Sequence, residues 1–203
     1  IIYTPHLFRY VYTGTRADHK RALCDEDMKK VFTKLSSSSA VPTTVRRAQE
    51  LFILMFLLRG LPFVDLAYLR KSDLRDNVIT YRRRKTGRPL SVTLTPEALE
   101  LLKKYMNRDT HSPYLFPLLK SGEGTKEAYR EYQLALRSFN QQLVLLGEML
   151  GLNDKLSSYT ARHTWATTAY YCEIHPGIIS EAMGHSSIKV TETYLKPFRN
   201  KKI

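Results

Sequence analysis

An α+β fold, mainly α with a small antiparallel sheet, is what this 203-residue chain predicts. Three observations carry that expectation. Apolar residues recur at helical spacing along most of the chain after Asp25, only two short segments rich in β-branched residues interrupt them, and those two flank a single basic turn. The segments are residues 77–81 (NVITY) and 90–94 (LSVTL), joined by RRRKTGRP, in which Thr86-Gly87 makes the turn.

Each element follows from local signals. Residues 1–21 show little periodicity and read as a linker remnant from an upstream core-binding domain, which leaves 22–203 as one domain. From Asp25, DEDMKKVFTKL begins a helix with acids in its first turn, where the helix dipole favours them, and SSSSA (36–40) breaks it. Residues 43–58 form a second helix ended by Gly60 and Pro62. Its LFILMFLL run falls well short of the ~20 apolar residues that span a bilayer, so it reads as a buried helix. A short helix follows over 63–69. After the hairpin, Thr95-Pro96-Glu97 starts a helix over 96–107, with proline at the first helical position. Further helices are expected over 125–150, 158–172, 176–183 and 187–194, and 111–124 is the one long loop. The sequence has no internal repeats.

Composition narrows the function. A hydrophobic content of 43% supports a packed core, and 32 Lys+Arg against 19 Asp+Glu leave a net charge of +13. That excess points to a polyanion, nucleic acid first, because cations on phosphates release condensed counterions; an anionic membrane surface or plain solubility are the other readings. Cys24 and Cys172 stand far apart without a partner motif and read as reduced, partly buried thiols of a cytosolic protein. No metal-ligand spacing occurs, so neither metal nor cofactor is expected.

The chemistry concentrates between Arg162 and Tyr194, in RHTWATTAYYCEIHPGIISEAMGHSSIKVTETY. An Arg-His pair, a Gly184-His185 turn and a lone tyrosine follow one another in an order that suits a phenol attacking a phosphodiester. Negative charge gathers on the non-bridging oxygens as phosphorus becomes pentavalent, and Arg162 and His185 are suited to meet it.

With RHTWAT upstream, this spacing resembles the tyrosine recombinase or phage integrase family over about residues 22–198, and the resemblance implies a helical catalytic domain of the DNA breaking-rejoining type. It implies Tyr194 as the nucleophile forming a 3′-phosphotyrosyl bond, Arg162 as a bidentate phosphate clamp, His185 as a donor to the phosphate, and Lys85 in RRRKTG as the acid that protonates the leaving 5′-oxygen. His163 looks supportive. Two positions depart from the family pattern. Where members carry Thr-Gly-Leu-Arg and then a short helix with Glu-Leu, this chain has Arg59-Gly60-Leu61-Pro62 and then Asp65-Leu66. Proline has no donor, so one clamp is lost or Arg59 swings in. The histidine of His-x-x-Arg is replaced by Tyr159, which can donate a hydrogen bond but is a poor base at neutral pH. Both changes are similar to those in integrases of conjugative transposons.

Arg82, Arg83, Arg84 and Arg88 on the hairpin, with Lys71 and Lys189, are expected to line a groove along the DNA backbone. The resemblance further implies double-stranded DNA and other protomers of the same protein, a tetramer on DNA, as partners. It implies no membrane, no small-molecule substrate and no cofactor, and a place in the bacterial cytoplasm, associated with the nucleoid. A type IB topoisomerase-like relaxing activity and a catalytically silent DNA-binding protein are the alternatives.

Overall fold

The structure is a computed structural model that describes residues 22–33 and 41–195. The expected linker at 1–21, the serine tract and the tail beyond 195 lie outside the described residues.

Eight helices are described: α1 (Asp25–Phe32), α2 (Thr43–Leu57), α3 (Phe63–Tyr68), α4 (Pro96–Tyr105), α5 (Lys126–Met149), α6 (Ser158–Tyr171), α7 (Pro176–Ala182) and α8 (Ile188–Glu192). One sheet stands between α3 and α4, with strands β1 (Leu74–Arg75), β2 (Val78–Arg82) and β3 (Pro89–Thr93) in the antiparallel order β1-β2-β3. The expected class therefore holds.

Helix α2 is the hub, packed against α4, α5 and α6. Its apolar run is buried as expected, with Phe52, Leu54 and Met55 fully enclosed. The chain leaves α2 through Arg59 at φ 57° and Gly60 at φ 68°, left-handed conformations that stop a helix. Side chains cap two later helices, the first at its expected start: the Thr95 hydroxyl accepts from the Ala98 amide at 3.3 Å, and the Thr125 hydroxyl from the Ala128 amide at 3.1 Å.

The sheet differs from expectation by one strand. Leu74-Arg75 pairs with Val78-Ile79 across Asp76-Asn77, both at positive φ (47° and 62°). Two such residues form the turn whose twist matches a hairpin, and a strand only two residues long carries too little alternation to be seen in sequence. In β2 and β3, Ile79, Tyr81 and Val92 face the core, while Thr80 and Ser91 bond to each other at 2.9 Å on the exposed face. Pro89 takes the first position of β3, where a missing donor matters least.

One loop is more buried than its sequence suggests, and two expectations change. The segment 111–124 is a loop as expected, yet Tyr114, Leu115 and Phe116 in it are buried, and its backbone is paired through Lys71 N to Pro113 O and Leu115 N to Leu69 O, which removes the cost of burying it. Helix α8 stops at Glu192, so Tyr194 lies in the turn that follows. Cys172 is exposed rather than partly buried, and both cysteines are free. Among the described residues no helix is long and apolar enough to cross a membrane.

Candidate active site

Four segments of chain meet around Arg162: the first turns of α6, the exit from α2, the tip of the β2–β3 hairpin, and the turn between α7 and α8. Arg162 is 2% exposed. Its Nη1 donates to Gly60 O at 2.8 Å, and its Nη2 to Met183 O at 2.7 Å. A Cβ on Gly60 would stand 2.8 Å from Arg162 Cα, so glycine is required there by contact as well as by φ. Burial, with the Arg83 charge next in importance, lowers the Arg162 guanidinium to about 10; it remains a cation at neutral pH.

His185 is buried with Nε2 at 2.9 Å from Arg162 Nη2 and Nδ1 at 2.8 Å from Thr191 Oγ1. A guanidinium can only donate. Nε2 is therefore the acceptor, and Nδ1–H donates to Thr191. Burial first, then the charges of Arg162, Arg83, Lys85 and His163, lower the imidazole to about 3, so His185 is neutral.

Tyr194 completes the group from the same chain. Its ring centroid lies 4.9 Å from that of His185 and 4.4 Å from that of His163, on which it stacks. The Arg162 Cζ lies 5.8 Å from the ring centroid, which sets the phenol beside the buried guanidinium. Thr167 on α6 ties the turn down by donating to Tyr194 O at 3.2 Å. Lys85 is exposed on the hairpin tip, close enough for its charge to act on His185. The tip is anchored by Thr86 Oγ1, which donates to Gly184 O at 3.0 Å. Tyr159 stands at the rim, exposed, one helical turn before His163 with ring centroids 6.5 Å apart.

Two residues sit where sequence reasoning did not put them. Arg59 does not swing toward Arg162; it lies against β3 and donates to Ser91 O at 3.4 Å, in a cleft shared with Arg88 and Glu181. Its left-handed backbone, at the point where α2 ends, aims the side chain at the sheet. Arg83, expected to line a surface groove, is 5% exposed. Its Nη1 donates to Met183 O at 2.9 Å, and its Nε lies 3.4 Å from Asp65 Oδ2. The sequence carries a signal for this: Ile79 and Tyr81 point inward, and the two-residue period of a strand, carried one step past Arg82, turns Arg83 inward too.

The remaining basic residues vary. Arg84 lies 3.8 Å over the Tyr68 ring and pairs with Glu123, so its charge is largely committed. Arg82 and Arg88 are exposed and, among the described residues, bond to Gly87 O and Ser186 O. Lys71 is bonded to Asp109 O, and Lys189 is exposed on α8. Among the described residues no group of His, Cys, Asp or Glu is placed to hold a metal ion.

A helical domain that gathers a tyrosine, a buried arginine and a histidine beside a basic hairpin belongs to a recognisable class. The Phage integrase family matches residues 21–201, and the chain belongs to that family. Among curated proteins it is similar to tyrosine recombinase XerA of Thermococcus onnurineus, 27% identical over 179 residues, which is 87% of this chain and 58% of that protein. The chain thus spans under two thirds of the length of this relative. Among solved structures it resembles that of XerA recombinase (TM-score 0.61, 20% identity, 89% of this chain and 61% of that one). It also resembles the Tn1549 transposon integrase in complex with transposon right end DNA (TM-score 0.63, 14% identity, 96% and 67%).

Proposed function

We propose that the chain is the catalytic domain of a tyrosine site-specific recombinase, cleaving and rejoining double-stranded DNA through a 3′-phosphotyrosyl intermediate. The observation that carries this reading is the placing of the Tyr194 ring against His185, centroids 4.9 Å apart, and beside the buried Arg162 guanidinium, whose Cζ lies 5.8 Å from it. Membership of the family and its named recombinase relatives support it.

The attacking oxygen is the Tyr194 phenol, in line with the scissile phosphorus. As its bond to phosphorus forms, the bond to the 5′-oxygen breaks. Arg162 turns its planar fork onto the non-bridging oxygens. That movement frees Nε2 of His185, the uncharged partner it leaves, to take the phenolic proton and present it to a phosphate oxygen. Lys85 delivers a proton to the departing 5′-oxygen. A 5′-hydroxyl from another strand reverses each transfer and seals the recombinant strand. Tyr159 donates a hydrogen bond at the rim. Arg82, Arg88 and Lys189, exposed around the site, follow the flanking backbone. One tyrosine cuts one strand, so exchange between two duplexes takes four protomers. Such a reaction occurs where the DNA is, at the nucleoid in the cytoplasm.

The test is a nicked suicide duplex carrying the end of the element that encodes the protein. Wild type should accumulate a covalent adduct stable to denaturation, and Tyr194→Phe should accumulate none. An adduct on the phenylalanine variant would remove Tyr194 from its role.

A further inference from the structure

We propose that Arg83 is the second guanidinium on the scissile phosphate, doing in this chain what the family assigns to the arginine that Pro62 replaces; the inference rests on the recombinase reading above. Arg83 and Arg162 donate to one and the same oxygen, Met183 O, at 2.9 and 2.7 Å. Both side chains are buried. Two like charges held that close and away from water repel each other and are each poorly solvated, an arrangement that calls for an anion between them.

The protein supplies only part of that anion. Among the described residues, the one carboxylate within ion-pair distance of either guanidinium is Asp65. Its Oδ1 is occupied by the Arg84 amide at 3.0 Å. Its Oδ2 faces Arg83 Nε at 3.4 Å, and neither atom has a hydrogen bond. One carboxylate against two buried guanidiniums, with Lys85 beside them, leaves uncompensated positive charge at the bottom of the site. A phosphodiester matches it: its non-bridging oxygens can each receive a fork, and the charge on them grows during the attack.

The chain's route explains how the hairpin can stand in for α3. Pro62 precedes α3 as its N-cap, and Asp65 follows in the first turn of that helix. The short helix therefore keeps its acid and lacks its base, and the base arrives from the end of β2. Arg83 is pinned there by its own backbone, its N–H bonded to Arg88 O and its carbonyl to the Gly87 amide. Gly184 keeps its passage open: a Cβ there would come within 3.1 Å of Arg83 Cδ. Arg83 is thus a catalytic residue carried on the same tip as Lys85.

The test uses the whole protein and two versions of the suicide duplex, one with a normal scissile phosphate and one with a methylphosphonate there, which lacks the negative charge. Arg83→Gln removes the cation and keeps a polar amide, two atoms shorter than the guanidinium. It should slow adduct formation by about 100-fold or more on the phosphate, bind the duplex nearly as well as wild type, and recover most of the deficit on the methylphosphonate. Where the glutamine variant does not fold, Arg83→Lys keeps the charge beside Asp65 and loses the fork, and should show the same pattern with a deficit of at least about tenfold. A deficit of equal size on both duplexes would make Arg83 structural and overturn the inference while leaving the recombinase reading intact. So would a variant that cleaves the phosphate at the wild-type rate. Absence of any adduct on wild type would defeat the recombinase reading itself, and this inference with it.

Discussion

At the scale of single residues, His185 shows how surroundings set chemistry. Burial and the neighbouring cations Arg162, Arg83 and Lys85 hold its imidazole at about 3, whereas in the unfolded chain it titrates near ~6.5. Between those values the unfolded state binds the extra proton, so stability is complete above the unfolded value and is lost as pH falls through this window. Urea unfolding at neutral pH and at mildly acidic pH should show wild type losing up to about 1.4 kcal/mol per pH unit more than His185→Gln. Equal losses in the two proteins would mean that the buried neutral imidazole is not what the acid attacks. The grouping is largely legible in the sequence: the order of Arg162, His185 and Tyr194 marks them out, and the three lie together in one chain. The inward turn of Arg83 is legible only through the two-residue period of β2 carried past Arg82, and the place of Arg59 is not legible, because it depends on a left-handed helix end that residue type alone does not reveal.

At the scale of elements, the β1–β2 turn is the informative case. Asp76 and Asn77 sit at φ 47° and 62°, a region where asparagine and aspartate are tolerated and β-branched residues are strained. Asn77→Val should destabilise the domain by about 1–3 kcal/mol, read as a shift in urea midpoint, and Asn77→Gly should be neutral or better. A valine variant as stable as wild type would show that the hairpin is not built on this turn. Elements whose signals are local are readable from the amino-acid order. The Thr95-Pro96 helix start and the Gly60 stop are determined by neighbouring atoms, and both appear where expected. The segment 111–124 reads as a loop because its burial comes from strand and helix residues distant in sequence. Tyr114, for example, bridges to Arg70.

At the scale of the whole molecule, charge dominates. A net +13 on 203 residues, with Arg82, Arg88 and Lys189 exposed around the site, should make affinity for duplex DNA fall steeply with salt. If six to ten phosphates are covered, affinity drops by about 10³-fold or more between ~50 and ~200 mM salt. Anisotropy titrations would read the slope of log affinity against log salt, and a slope shallower than about −3 would argue against a surface that tracks the backbone.

The sequence by itself determined the class of fold, the order of Arg162, His185 and Tyr194 and the net charge of +13, because each depends on local spacing or on a simple sum over residues. Only the tertiary structure decided which cations are buried beside His185 and Tyr194. Burial of a guanidinium is settled by long-range packing: Arg83 finds Met183 a hundred positions away, and Arg162 finds Gly60 across α2 and α6. Contacts of that kind exist only once the helices and the hairpin have closed on one another.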